Sequence, residues 1–306
     1  MHRKLIKQGK GGFTIYLPKK WIDQKGLDEN DQVQITETEA AIIVEAPSKG
    51  KKSFTFELTR QNRPDLWLIL THLHRRGFDE MIIQKVDDKA FPEVKRIVKD
   101  LLLGFEVTKD GTTCTLTNLS EPSEDKFDNL LRKNFLIIKE TLEVIDESMK
   151  LGSFKRMDYI RELKTEIDKF TYFCKRIAVR ESTHKSPILS WELLTWLMHI
   201  EHAAYYLYLY CSEHNVKVDK KMLDLSAGLK DYFGLYYDLH YKRDFKDLHK
   251  LMELKKQYQF GLCYKALEQS RGREAVVFVH IREIFRLIQI GTSPIISDLL
   301  DKRPEE

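Results

Sequence analysis

Basic residues are concentrated at the start of this chain. Seven of the first 25 residues are lysine or arginine and the only acid among them is Asp23, although the net charge of all 306 residues is only +4. A local cluster of this kind attracts polyanions whatever the total charge, and it points to nucleic acid. A segment of about 45 residues also buries too little apolar surface to be stable alone, so it needs a second surface, most simply another copy of itself.

Alternating apolar residues in this segment predict four short strands, because a spacing of two is typical of half-buried strands. The alternating positions are Phe13, Ile15 and Leu17, then Val33 and Ile35, and then Ile42 and Val44. Between them, Trp21 and Ile22 predict a short helix, with Pro18 in its first turn and Gly26 as the left-handed residue that ends it. The expected order is strand, strand, helix, strand, strand.

Three dipeptides at element boundaries give this segment a recognisable pattern. Gly11-Gly12 follows the first basic strand, Leu17-Pro18 ends the second strand, and Gly26-Leu27 follows the helix. The segment thereby resembles the swapped-hairpin family of AbrB, MazE and SpoVT, although Asn30-Asp31 replaces the usual Gly-Asp. The resemblance implies that two chains interleave their hairpins into one small barrel whose basic face lies on DNA.

We expect six of these cations to contact DNA phosphates and base edges. They are Arg3, Lys4, Lys7, Lys10, Lys19 and Lys20. The alternative is that the lysines only keep a dimerisation barrel soluble.

Composition places the chain among soluble globular proteins of two to three domains, with 42% hydrophobic and 32% charged residues. The four cysteines are far apart and form no C-x-x-C pair, so we expect reduced core thiols and a cytoplasmic location. No apolar signal segment follows Met1, and the most apolar later run, residues 191–211, carries acids and histidines. We therefore expect no membrane insertion.

Residues 52–119 predict a small α/β connector domain. Strands are expected at 53–58 and 80–84, helices at 64–76 and from Pro92 to Gly104, and a final hairpin around Asp110-Gly111. No glycine-rich phosphate loop is present, and we interpret this region as a spacer or dimerisation element.

Residues 122–306 predict a helical domain that folds independently. The six expected helices begin at Ser123 and then cover 154–180, 190–214, 219–241, 245–269 and 274–300. Their spacing predicts two three-helix bundles in tandem. With Glu166–Phe170, Phe173 and Arg176 on the second helix, this region resembles the PhoU family of phosphate-uptake regulators. Fused behind a swapped hairpin, it is similar to the archaeal PhoU-type regulators, which makes the expected fold class multidomain α+β.

The resemblance also raises the question of a metal, because PhoU proteins carry an acid-x-x-x-Asp signature that builds carboxylate metal sites. Here Glu201 is followed by Tyr205, and Gln289 stands in the matching part of the last helix. We therefore expect no metal and no cofactor. Two sets can nevertheless ligate zinc or iron, namely His199, Glu201 and His202, and His280 with Glu283. The favoured alternative is a polar layer at a bundle interface, bonded to Tyr205, Tyr237 or Tyr241.

No nucleophile and base pair, P-loop or dinucleotide motif is found, so we predict no catalytic residues and no enzymatic activity. The hypothesis is a homodimeric, DNA-binding transcription regulator linked to phosphate uptake, in which residues 1–48 bind DNA. Its helical domain is expected to contact a phosphate transporter or a signalling protein. The alternative is a cytosolic adaptor that binds such a partner without binding DNA. A metal-sensing bundle is a third class, against which the missing aspartates argue.

Overall fold

The computed structural model describes residues 2–9, 11–37, 41–46, 51–120, 123–180 and 186–301. The chain is mostly helical, with small sheets toward the N-terminus. It divides into two compact units, residues 1–51 and residues 52–306. Among the described residues, no helix combines the length and apolar character needed to cross a bilayer.

The first unit consists of two separate antiparallel hairpins and one short helix, in the order predicted. The hairpins are β1 (Ile6–Gln8) with β2 (Gly12–Thr14) and β3 (Gln34–Glu37) with β4 (Ile42–Glu45). Helix α1 (Lys19–Lys25) lies between them and ends at Gly26, whose φ of 59° is left-handed as expected. Pro18 is the residue before the helix rather than a member of its first turn.

The first unit has almost no core of its own. Leu27 is its only buried apolar side chain among the described residues. The large apolar side chains that it leaves exposed are Leu5, Ile6, Phe13, Ile15, Tyr16, Ile35, Ile42 and Ile43. An ordered unit with this much uncovered apolar surface matches the sequence argument that something else must complete its core.

The second unit begins with a two-layer α/β connector whose elements fall close to the predicted bounds. The strands are β5 (Ser53–Glu57), β6 (Glu80–Gln84), β7 (Phe105–Asp110) and β8 (Thr113–Asn118), and the helices are α2 (Leu66–Arg75) and α3 (Phe91–Leu101). The sheet order is β5-β6-β8-β7, with β5 parallel to β6 and the other pairs antiparallel. Leu66, Leu70 and Val94 of the helices pack on Met81, Ile83 and Leu116 of the sheet.

Long helices form the rest of the second unit. They are α4 (Glu124–Leu151), α5 (Met157–Arg180), α6 (Pro187–His214), α7 (Lys220–Lys242), α8 (Phe245–Lys255), α9 (Cys263–Gln269), α10 (Arg273–Ile290) and α11 (Thr292–Asp301). The sequence predicted one continuous helix from 245 to 269 and another from 274 to 300. Each is interrupted, the first by a π-helical segment, Lys256–Leu262, and the second at Gly291.

The π-helical segment has a packing cause. Its Tyr258 stacks on Phe285 of α10 with ring centres 4.8 Å apart, and the adjacent Gln259 donates to the Phe285 carbonyl oxygen at 3.1 Å. Gly228 of α7 makes room, since a Cβ there would lie 2.6 Å from the Tyr258 ring. The wider turn directs two consecutive side chains toward the same neighbour.

The buried apolar residues of α4 to α6 and those of α7 to α11 form one continuous core. Helix α4 packs against α5, α6 and α7, and α10 packs against α6 and α7. The six predicted helical segments are therefore present, but their two halves share a core instead of each closing its own.

The connector is joined to the helical region by a buried ion-pair network. Helices α2 and α3 pack on α5, where the fully buried Arg176 donates to Asp79 at 2.9 Å and to the carbonyl oxygens of His74 and Phe78 at 3.2 and 2.6 Å. Arg180 donates to the second oxygen of Asp79 at 2.8 Å. These bonds tie the loop before β6 to α5.

Candidate nucleic-acid interface and histidine groove

Five of the six predicted DNA-binding cations are described, and all five are exposed. Arg3 and Lys4 precede β1, Lys7 lies in β1, and Lys19 and Lys20 open α1. None of them forms an ion pair with another described residue, so their charges are available to a polyanion. Lys10 lies outside the described residues.

The register of the first hairpin places Lys7 next to an apolar side chain. Lys7 is directly opposite Phe13, so the two side chains are on the same face of the hairpin. Charged and apolar residues are thus mixed on this face. Removal of Lys7 would therefore also change the surroundings of the exposed Phe13 ring.

The second hairpin places three apolar residues on one face, as the alternation predicted, and Ile43 on the other. Ile35 is opposite Val44, and Ile42 is opposite Glu37 two residues further along, so Ile35, Val44 and Ile42 share a face. Ile35 and Ile42 are 64% and 67% exposed, which makes this face the largest uncovered apolar feature of the second hairpin.

In the helical region, the three histidines of the two sets singled out in the sequence line one groove between α6 and α10. The groove has a volume of about 490 Å³, and its polar lining is formed by His199, His202, His280, Glu283 and Arg286. Glu283 is engaged by Arg286 through two hydrogen bonds of 2.8 and 2.7 Å. Burial lowers the pKa of His199 and of His280.

Glu201 does not belong to this groove. It is fully buried and accepts a hydrogen bond from Thr141 of α4 at 2.8 Å, while its second oxygen has no hydrogen-bond partner. Burial raises the pKa of Glu201 to about 8, and the charge of Asp168 acts in the same direction. This carboxyl group is therefore largely protonated at neutral pH.

The neighbouring Asp168 stays ionised because it has two basic partners. His202 bonds to one of its oxygens at 2.7 Å, and Lys164 donates to the other at 2.7 Å. Burial alone would raise the pKa of Asp168, but the bond and charge of His202, with those of Lys164, bring it below its usual value. The predicted tyrosine partners of this layer are replaced by Thr141 and Asp168.

The groove does not assemble a metal centre. Within the part of the chain that is described, no three His, Cys, Asp or Glu side chains lie close enough to hold a metal ion. The four predicted metal-ligand candidates that share the groove, His199, His202, His280 and Glu283, thus form a polar surface of mixed charge.

The tyrosines of α6 and α7 belong mainly to the core. Tyr208, Tyr232 and Tyr236 are fully buried, and their hydroxyl groups are satisfied inside the fold. Tyr206 is the main exception and is half exposed beside the histidine groove.

Sequence reasoning missed the roles of two consecutive cations on α5. Arg176 binds Asp79, and Lys175 is buried beside α6. The available signal was a pair of basic residues inside the apolar stripe that contains Phe173 and Ile177, a position where solvated side chains are not expected.

Comparisons of the chain with protein-family models, with curated proteins and with solved structures found no match.

Proposed function

We propose that this protein is a homodimeric DNA-binding transcription regulator linked to phosphate uptake, without enzymatic activity. The observation that carries the proposal is the combination of exposed, unpaired cations and uncovered apolar side chains in the first 46 residues. In this proposal residues 1–48 form a swapped-hairpin barrel with a second copy, and the helical region, as a PhoU-like pair of three-helix repeats around a shared core, receives the signal.

The uncovered apolar side chains support the dimer. A unit in which one leucine is buried, and in which Ile35 and Ile42 remain two-thirds exposed, loses the hydrophobic contribution that normally offsets chain entropy. A second copy supplies apolar surface of the same kind to both chains, as expected of a two-fold interface.

The cations support nucleic acid as the ligand of this dimer. Each chain has five exposed basic side chains before or in β1 and at the start of α1, and no acid among the described residues is paired with them. A dimer therefore carries ten such charges. Such a density is typical of surfaces that neutralise backbone phosphates. The link to phosphate uptake rests on the sequence resemblance to PhoU-type regulators.

The dimer is tested on the full-length chain with the double substitution Ile35→Asp and Ile42→Asp. We expect the wild-type protein to sediment as a dimer at micromolar concentration, and the variant as a monomer with unchanged helical circular dichroism, because two charges then face the interface. Leu151→Asp is the control, since Leu151 is 78% exposed at the end of α4 in the second unit. A wild-type monomer, or a variant that remains dimeric, would contradict the swapped-hairpin dimer.

DNA binding is tested by its salt dependence on a duplex of mixed sequence, because the phosphate contribution does not depend on sequence. If the dimer neutralises about 6 phosphates, the logarithm of the binding constant should fall linearly with the logarithm of the salt concentration, with a slope of about −5. The variant Lys4→Gln, Lys19→Gln, Lys20→Gln should at least halve this slope while leaving the dimer intact. Lys7 is left unchanged because it lies beside Phe13.

The matched control removes three other exposed lysines, Lys246, Lys250 and Lys265, which lie in the second unit. It changes the net charge by the same amount and should leave the slope as in the wild type. Wild-type protein that does not bind DNA at about 50 mM salt, where phosphate contacts are strong, would favour the adaptor that binds a transporter or kinase instead.

A further inference from the structure

Lys175 is a buried ammonium group that has no counter-charge among the described residues. Its side chain extends from α5 toward α6, the residue is 2% exposed, and Nζ donates to the hydroxyl of Thr195 at 2.7 Å. Nζ also lies 4.9 Å from the centre of the Trp191 ring. No carboxylate among the described residues pairs with it.

The side chains that interact electrostatically with Lys175 are basic and supply no counter-charge. Arg75 and His72 of α2 and His199 of α6 all interact unfavourably with a cation at this position. Burial, with a further contribution from Arg75, lowers the pKa of Lys175 to about 8, so the group is still mainly charged at neutral pH. A buried charge that has one hydroxyl partner is costly, and positions of this kind are candidates for ligand binding.

An apolar groove lies on the other side of the two residues that contact Nζ. It has a volume of about 600 Å³ and is lined by Val179, Pro187, Ile188, Trp191, Thr195 and Trp196. The exposed lining is overwhelmingly apolar, and Ile188 is among the most exposed large side chains of the chain. Glu192 also reaches the groove, but one of its oxygens accepts from the Trp196 indole at 3.3 Å.

We propose that this groove binds a small carboxylic acid with an apolar chain, the chain lying along Ile188 and Trp196 and the carboxylate reaching Lys175 and Thr195 as the Trp191 ring turns aside. The apolar lining suits the hydrocarbon chain of the ligand. Lys175, which has no counter-charge among the described residues, suits its carboxylate head group. A compact inorganic anion fits less well, because most of the groove offers it no polar partner. This inference does not depend on DNA binding, since it concerns ligand binding by the protein alone.

Octanoate is the probe, and binding is followed by calorimetry and by tryptophan emission on the full-length chain. Two control ligands separate the two parts of the site, since acetate has the head group without the chain and octanol has the chain without the charge. We expect octanoate to bind more tightly than either. Lys175→Met keeps the side-chain length and removes the charge, and it should weaken octanoate binding about tenfold or more, the effect of losing one charged hydrogen bond.

The same variant distinguishes a charge effect from a packing effect. Lys175→Met should bind octanol as the wild type does and should unfold at the same or a higher temperature, because an apolar side chain replaces an unpaired buried charge. Glu192→Gln is the matched control at the groove and should bind octanoate as well as the wild type or better.

The pH dependence gives a second, independent readout. Octanoate binding should be stronger at about pH 6.5, where the carboxylate is ionised and Lys175 is charged, than at about pH 9.5, where the free lysine has lost its proton. The titratable and charged groups that interact with Lys175 or line the groove are Arg75 and His72 on α2, and His199 and Glu192 on α6. The proposal is overturned if octanoate does not bind, if octanol binds as tightly, or if Lys175→Met binds octanoate as the wild type does.

Discussion

The substitution Arg176→Met should lower the free energy of unfolding by about 3 kcal/mol, because it removes a buried charged group that binds the connector. Arg176 is fully buried and makes three hydrogen bonds to the connector, two of them to the carbonyl oxygens of His74 and Phe78, which lose this charged donor in the variant. Asp79 would keep Arg180 as its partner, which limits the loss. In a domain of this size, about 3 kcal/mol corresponds to a fall in Tm of about 10 °C.

Two further substitutions complete a graded series measured by denaturant unfolding. Arg180→Met should cost less, because that side chain is 28% exposed and a single guanidinium nitrogen makes its bonds to Asp79 and the Gly77 carbonyl oxygen. Arg161→Met removes an exposed pair with Asp158 on the same helix and should cost under about 0.5 kcal/mol. If Arg176→Met were as stable as Arg161→Met, the network would not hold the connector to the helices.

This network also changes what can be expected of the helical region in isolation. The apolar stripes of residues 122–306 predict a domain that folds alone. In the structure, however, Phe173 and Arg176 of α5 are buried, and α5 packs on α2 and α3. Removal of the connector would expose this face of α5 and leave Arg176 without Asp79.

The elements of the connector could be predicted from the sequence because their signals are local. The spacing of apolar residues in each segment agrees with the helix or strand that the segment forms. The boundaries are set by single glycines such as Gly77 and Gly104, both with positive φ. The Asp110-Gly111 dipeptide likewise predicted the turn of the last hairpin. Where propensity, pattern and turn chemistry agree over a few residues, no long-range information is needed.

The features that were missed all depend on residues far apart in the chain. The π-helical segment requires Gly228 on a different helix, and the shared core requires α4 to pack on α7. The pairing of Lys7 with Phe13 depends on the register of the hairpin, and a shift of one residue would give Lys7 a different partner. The histidine pairs could be placed on helix faces from their spacing, but only the packing of α6 on α10 brings them into one groove.

The substitution Glu201→Gln should remove a loss of stability that accompanies a rise in pH from about 4.5 to about 8. Glu201 has a raised pKa in the folded state, about 8 against 4.5 for an ordinary glutamate, because it is buried with one oxygen unpaired. The folded protein therefore retains this proton to a higher pH than the unfolded chain does. The resulting stability is fully present below about pH 4.5 and is lost as the pH rises to about 8, a change of about 4 kcal/mol.

Glutamine keeps the oxygen that accepts from Thr141 and cannot ionise, so the variant should match the wild type near pH 4.5 and exceed its stability by up to about 4 kcal/mol at about pH 8.5. Glu213→Gln, at an exposed position of the same helix, controls for the removal of one carboxylate. The buried His74, whose pKa is lowered to about 3 by burial, acts inside this interval in both proteins and cancels in the comparison. Two other buried groups act outside the interval. Asp168 has a lowered pKa, so its contribution is lost only as the pH falls below about 4, and Lys175, with its pKa lowered to about 8, changes stability mainly above that value. The difference between the urea unfolding curves of the two proteins at several pH values therefore isolates Glu201, and parallel curves for the wild type and Glu201→Gln would show that this carboxyl group is already ionised at neutral pH.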